Sequence, residues 1–329
     1  MRVCMAGCGS FALLCHGPAQ RMLRAASADV TLAACCDTDP ASSRDYMAAF
    51  GFGRSYADLR EMLEAERPDA VILAVPPAAT CAAACAVLGR GVPLLLEKPP
   101  GLDPAELERM ILAQEKGGAG AQVAFNRHYM PVMRRALEIL GGSFPAGEVE
   151  RIDYEMVRAE RWDPDFSTTA VHAIDGALVL ARSPFRTAEL AFQPQSRGGR
   201  EATDVTVRAE CECGSRVSVR IRPVSSSNSD SARVDAAGQS LSLAIPVSPQ
   251  SPGVGSAEHR RKGVVVGSYS GQGLGAPESL GVLGETEAFL NGVRAGGPFS
   301  PGLRDCRQRV ALMDAIRRRD AGPFRFGTS

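Results

Sequence analysis

The sequence predicts an α/β half followed by an α+β half: a doubly wound parallel sheet, then a domain built on a mostly antiparallel open sheet. Three observations carry this. Up to about residue 125, short apolar segments alternate with helical patterns, as in parallel strands joined by crossover helices. From Thr187 to about Tyr269, apolar and polar residues alternate instead, as in strands with one covered face. The length, 329 residues, suits two domains of roughly 100–200 residues each. The two domains are taken as 1–122 and 123–329.

Arg2 to Ala6 forms the first short strand. Gly7-Cys8-Gly9-Ser10-Phe11-Ala12 follows, and then a helical stretch to about Ala26. G-x-G-x-x-A between strand and helix is the context of a dinucleotide-binding turn. Gly7 permits the tight turn, Gly9 lets backbone approach a pyrophosphate, and Ala12 keeps the helix close to the sheet. The helix start offers free N–H groups to the phosphate. The next strand, Val30 to Cys36, ends at Asp37. A carboxylate there can accept both ribose hydroxyls of NAD and would repel the 2′-phosphate of NADP, so NAD is the expected cofactor. Asp39-Pro40 reads as a helix cap with Pro at the first helical position.

Ser55 is the expected cap of a helix carrying Leu59, Met62 and Leu63. Asp69 to Val75 is a strand stopped by Pro76-Pro77, and Ala78 to Gly89 an Ala-rich helix. Pro93 to Leu96 is the strand that delivers Glu97-Lys98-Pro99-Pro100. Proline cannot donate to a ladder, so the strand stops and leaves Lys98 at its carboxyl end. In an open parallel sheet, that edge binds ligands. Asp103-Pro104-Ala105-Glu106 combines a cap, a first-turn Pro and an acid placed to reach back. Gly117-Gly118 ends that helix, and Ala121 to Phe125 is one more strand.

Asn126-Arg127-His128-Tyr129-Met130-Pro131 then leads into a helix with Met133, Leu137 and Leu140. Glu148 to Ala159 reads as a long strand. Val205 and Val207, then Val217, Val219 and Ile221, share one face of the later strands. Ser218, Arg220 and Arg222 share the other, broad enough for a second subunit to cover. A homo-oligomer, dimer or tetramer, is expected through this sheet. Glu258 to Lys262 reads as a solvated loop. Two helices, about Leu283 to Arg294 and Leu303 to Arg318, end the chain.

Composition narrows the function classes. Lys+Arg and Asp+Glu both number 37, which gives no footprint for nucleic acid or an anionic membrane. No apolar run reaches the roughly 20 residues of a membrane span. The first residues lack the apolar core of a signal peptide. The ten cysteines contain no C-x-x-C. Cys81 and Cys85 fall on one helical face and Cys211 and Cys213 on one strand face. They read as small buried hydrophobes in a reducing cytoplasm, and no metal site is expected.

The remaining constellation is Asp163-Pro164-Asp165-Phe166-Ser167-Thr168-Thr169-Ala170-Val171-His172-Ala173-Ile174-Asp175. On a helix, His172 and Asp175 share a face. With Gly7-x-Gly9-x-x-Ala12, Glu97-Lys98-Pro99 and Asn126-Arg127-x-x-x-Pro131, this His-x-x-Asp completes an ordered set spanning nearly the whole chain. The set resembles the glucose–fructose oxidoreductase/inositol dehydrogenase (Gfo/Idh/MocA) family.

The resemblance implies an N-terminal Rossmann domain and a C-terminal domain on a mostly antiparallel sheet. It implies NAD(P)-dependent hydride transfer to or from a secondary alcohol or ketone of a sugar, cyclitol or related polyol. Cofactor contacts would come from the turn residues Gly7, Gly9, Ser10, Phe11 and Ala12. Asp37, Pro76, Glu97 and Lys98 would complete them. Catalysis would fall to Lys98, His172 and Asp175, and substrate contacts to Asn126, Arg127, Thr168 and Asp175. Chemically, His172 suits the base and Lys98 the cation that stabilises a developing alkoxide. Asp175 would fix the imidazole tautomer or bind a hydroxyl. Arg127 would bind substrate or form a structural salt bridge. Many family members carry Asp where this chain has Thr168. That departure bears on an inositol-type substrate and on the orientation of His172, with Asp163 or Asp165 as the candidate replacement. Two other readings stay open: a non-catalytic dinucleotide sensor on the same fold, and a C=N or enone reductase using Lys98 alone.

Overall fold

The computed structural model describes residues 1–145, 147–163, 165–250 and 253–327. The first part alternates β1 (Arg2–Ala6), a π-helical turn (Ala12–His16) running into α1 (Gly17–Ala26), β2 (Thr31–Cys36), α2 (Pro40–Phe50) and β3 (Arg54–Tyr56). It continues with α3 (Leu59–Glu66), β4 (Ala70–Leu73), α4 (Pro77–Leu88), β5 (Leu94–Glu97), α5 (Pro104–Gly117) and β6 (Ala121–Ala124). After a 3-10 turn at Asn126–Tyr129 come α6 (Pro131–Ser143), β7 (Val149–Ala159) and α7 (Ser167–Ala181). A run of strands follows: β8 (Phe185–Arg197), β9 (Arg200–Cys211), β10 (Arg216–Ser225), β11 (Ser229–Ala236), β12 (Gln239–Ile245), β13 (Ser256–Arg261) and β14 (Val264–Ser270). The chain closes with α8 (Ala276–Ser279), α9 (Val282–Ala295), α10 (Arg307–Arg318) and β15 (Phe324–Arg325).

By packing, Met1–Asn126 and Gly281–Val310 form one compact unit, and Arg127–Leu280 with Ala311–Ser329 another. The first is built on a parallel sheet in the order β3-β2-β1-β4-β5-β6. The order reverses between β1 and β4, which creates the switch point where such sheets bind ligands. Val3, Met5, Leu32, Ile72 and Leu95 are buried in its core with Tyr46 and Phe50 of α2. Phe289 and Leu290 of α9 join the same cluster. Each such ring or aliphatic side chain contributes roughly 1.5–3 kcal/mol by leaving water. The Val123 amide also donates to the Pro301 carbonyl at 2.8 Å. These contacts explain why Gly281–Val310 packs with the first unit although it lies far along the chain.

The local signals mostly act as read. Asp39 caps α2 through Ala41 N–H and Ser42 N–H, with Pro40 at the first position. Asp103 caps α5, and Glu106 reaches back to the Leu102 amide at 2.8 Å. One cap differs. Ser55 lies inside β3, paired with Cys35, and Asp58 caps α3 instead. The extra edge strand delays the helix by one turn.

The second unit holds a sheet ordered β14-β13-β12-β11-β7-β10-β9-β8-β15. Only β7 and β10 pair in parallel; the other neighbours are antiparallel. Ile152, Tyr154 and Met156 of β7 and Val217, Val219 and Ile221 of β10 are buried on one face, against α7. A Cβ on Gly176 would stand 2.6 Å from the Tyr154 ring, so a glycine is what lets α7 press this closely. Two expectations change here. Glu258–Arg261 is strand, not loop: His259 pairs with Leu241 and is buried, its Nε2 3.0 Å from Gln239 Oε1. Cys213 leaves its strand for the turn after β9, where it is exposed, while Cys211 stays buried.

Candidate functional site

In the first unit, the expected cofactor residues gather at the carboxyl edge of one sheet. Ala6 pairs with Cys36 and with Leu73, Leu73 with Leu96, and Glu97 with Ala124. Gly7, Asp37, Pro76, Lys98 and Asn126 therefore all leave the ends of adjacent strands. Gly7 has φ +91°, and a Cβ there would sit 2.1 Å from the Ala74 carbonyl oxygen. No L side chain fits that position. Gly9 is different: a Cβ built on it meets no heavy atom within 4 Å. Its space is open, as a cradle for a bound phosphate requires. Ser10 and Phe11 are exposed beside it, and Ala12 is buried against the sheet. The donor set fits a dinucleotide.

Asp37 is tied into this turn. Its Oδ2 accepts the Cys8 N–H at 2.7 Å, and its Oδ1 accepts the Asp39 N–H at 2.9 Å. A carboxylate has about four acceptor positions, so it retains capacity for ribose hydroxyls. Cys36, next to it, is pushed up to about 12 by burial, with the Asp37 charge adding. Glu97 ends β5, with Oε1 2.8 Å from His16 Nε2 and Oε2 accepting the Lys98 N–H at 3.2 Å.

In the second unit, α7 carries Thr168, His172 and Asp175 on one helix. Asp175 is wholly buried and His172 partly so, both within the body of the helix rather than at its end. Asp175 Oδ1 lies 2.8 Å from His128 Nε2. Arg127 is buried: its Nη2 lies 2.5 Å from Asp230 Oδ2, and its Nε donates to Tyr154 Oη at 3.3 Å. Arg158 Nη1 pairs with Asp230 as well, at 2.5 Å. Two guanidiniums on one buried carboxylate form an internal ion cluster. Of the two roles open to Arg127, this geometry favours the structural salt bridge. Asp163 pairs with Arg161 at 2.6 Å, and Asp165 Oδ1 accepts the Ser167 N–H that opens α7. Both are engaged locally. They also line a cleft of about 720 Å³ with Trp162, Phe166 and Arg200. Pro164 lies outside the described residues.

Among the described residues, no cluster of His, Cys, Asp and Glu could hold a metal ion, and no helix is long and apolar enough to cross a membrane.

Residues 1–125 match the family model for an oxidoreductase family with an NAD-binding Rossmann fold, GFO_IDH_MocA. That match covers less than half of the 329 residues and is confined to the N-terminal part of the chain. A relative provisionally described as a UDP-kanosamine synthase oxidoreductase subunit, from Amycolatopsis mediterranei, is 33% identical over 117 residues. That match spans 35% of this chain and 32% of the relative's length. The whole fold is that of solved Gfo/Idh/MocA-type structures. A family member from Vibrio cholerae aligns with TM-score 0.79 at 16% identity, covering 97% of both chains. An oxidoreductase from Agrobacterium radiobacter, solved with NAD+, L-tartaric acid and magnesium, gives 0.79 at 16% identity, over 96% of this chain and 94% of that one. Levoglucosan dehydrogenase, solved with NADH and L-sorbose, gives 0.80 at 18% identity, over 98% and 96%.

Two histidines escaped the sequence reading. His16 follows Ala12 by one helical turn, and a histidine on the buried face of the dinucleotide helix was a usable signal. His128 sits beside Arg127 with no periodic pattern to mark it; only folding brings it to Asp175.

Proposed function

We propose that the protein is an NAD-linked oxidoreductase that moves a hydride between nicotinamide and a secondary alcohol or ketone of a sugar, cyclitol or related polyol. The observation that carries this is the convergence of the glycine turn, Asp37 and Lys98 on the carboxyl edge of one parallel sheet, beside its switch point. Bound there, the dinucleotide supplies a carbon that takes or gives the hydride. The side chains supply the rest. Lys98 is assigned to the developing alkoxide, where a fixed cation acts under low dielectric. His172 is assigned as the base that takes the hydroxyl proton. Asp175 is assigned to orienting the His172 imidazole, and its complete burial on the same helix suits a fixed carboxylate; its Oδ1 also holds His128 Nε2 at 2.8 Å. Asp37 favours NAD because a 2′-phosphate would meet its negative charge.

A polyhydroxylated substrate is suggested by the sugar-directed names of the UDP-kanosamine relative and the levoglucosan dehydrogenase neighbour. Thr168, in place of a carboxylate, weighs against an inositol-type substrate. Ten free cysteines suit a reducing cytoplasm. The polar face of the second sheet, with Arg208, Ser218, Arg220 and Arg222, is the surface assigned to self-association.

The test is a panel of sugars, cyclitols and sugar acids followed by NADH absorbance. With a substrate in hand, His172→Ala should lower turnover roughly 10²–10⁴-fold, the usual worth of a placed acid–base group. The affinity for NAD should stay within about twofold. Full turnover in His172→Ala would remove the base and favour a reductase using Lys98 alone.

A further inference from the structure

His16, which the proposed reaction leaves without a role, pairs with Glu97, a residue expected at the cofactor. The π-helical turn Ala12–His16 inserts one residue relative to an α-helix, which rotates the side chains after it by ~100°. His16 is wholly buried, with the Phe11 ring edge-on at 5.5 Å. Its Nε2 meets Glu97 Oε1 at 2.8 Å. Its Nδ1 is buried and finds no partner among the described residues. In the neutral ring this assigns the proton to Nε2, because an orphaned N–H at Nδ1 would forfeit the bond that Glu97 accepts. The other Glu97 oxygen accepts the Lys98 N–H. Cys15, on the same turn, is pushed up to about 12 by burial, with the Glu97 charge adding. The groups shown facing the Glu97 carboxylate are thus His16, Cys15 and the Lys98 backbone.

We propose that His16 is a positioning residue for Lys98: by holding the Glu97 carboxylate against the Lys98 backbone N–H, it fixes how Lys98 leaves the sheet edge. The proposal rests on the reading of Lys98 as the cation of the reaction, but its test needs no turnover. Lys98, Lys116 and Lys262 are the only lysines of the chain. Reductive methylation with ¹³C-formaldehyde therefore gives four sets of signals, three from the lysines and one from the terminal amine, and Lys98→Met assigns one.

The pH titration of that signal in the full-length protein is the readout. In His16→Leu, Glu97 loses its N–H donor and presents fuller negative charge beside Lys98. The Lys98 midpoint should rise by roughly half a unit. His16→Gln keeps an N–H donor on a side chain of similar reach and should restore the wild-type midpoint. Glu97→Gln removes the charge and should lower it. An unmoved midpoint in folded His16→Leu, or His16→Gln behaving like His16→Leu, would overturn the proposal. If circular dichroism finds His16→Leu unfolded, Glu97→Gln decides, and an unmoved midpoint there overturns it equally. Should Lys98→Met instead turn over normally on an identified substrate, the role of Lys98 falls while the titration result stands separately.

Discussion

Gly7 and Gly9 are two residues apart, yet their replacement should fail in opposite ways. Alanine at Gly7 must adopt φ +91°, which costs an L residue roughly 1–2 kcal/mol. Its Cβ would also stand 2.1 Å from the Ala74 oxygen, about 0.9 Å inside the 3.0 Å limit for such contacts. That oxygen belongs to backbone that cannot swing aside. The Ala74 N–H donates to Ala6 O and the Gly7 N–H to Cys36 O, both at 2.8 Å. Relieving the clash would stretch these bonds, worth about 1 kcal/mol each. Gly7→Ala should therefore lose about 3–4 kcal/mol of stability. Gly9 carries neither penalty, and an added side chain restricts the unfolded chain. Gly9→Val should hold stability within ~1 kcal/mol of wild type, while its branched side chain fills the space assigned to pyrophosphate. NADH affinity should fall at least about 100-fold, or roughly 3 kcal/mol. Urea denaturation followed by circular dichroism measures the first effect, and NADH fluorescence titration the second. Wild-type NADH affinity in Gly9→Val would refute the cradle. Wild-type stability in Gly7→Ala would refute the steric argument.

Other expected outcomes follow from single groups. Asp37→Ser should narrow the preference for NAD over NADP in paired fluorescence titrations; equal affinities already in wild type would take Asp37 out of that role. Arg127→Met should destabilise by about 3 kcal/mol, since it breaks a buried ion pair on Asp230; a loss under ~1 kcal/mol by urea denaturation would mean Arg158 alone compensates the charge. Burial pushes the Cys4, Cys15 and Cys211 thiols up to about 12, above the ordinary 9.0. Groups raised by folding stabilise below their unfolded value, so stability should be full below pH 9 and fall between about 9 and 12. A flat chemical-denaturation midpoint across that window would contradict it. Cys213 is exposed and lowered from the ordinary thiol value by hydrogen bonds, those from Ser215 foremost, which outweigh its partial burial. Iodoacetamide should label it first, measured by peptide mass spectrometry, with a midpoint below 9.0; earlier labelling of a buried cysteine would refute this.

The parallel sheet was legible because its signals are local. Proline stops β5 at Lys98, Asp39 and Asp103 cap their helices, and the spacing of Gly7, Gly9 and Ala12 defines a strand–turn–helix without help from distant residues. Alternation along β9 and β10 likewise marked which faces are covered. What folding alone decided depends on partners far along the chain. Glu258 to Lys262 looks like a charged loop until β12 supplies a ladder and Gln239 meets His259. Arg127 could be assigned to ligand or to structure from its sequence; Asp230, 103 residues later, is what buries it. His16 needed Glu97, and His128 needed Asp175. Backbone propensity and punctuation act over a few residues and are written in order. A buried charge must find its counterion wherever the sheets bring one, and one-dimensional patterns carry no record of that distance.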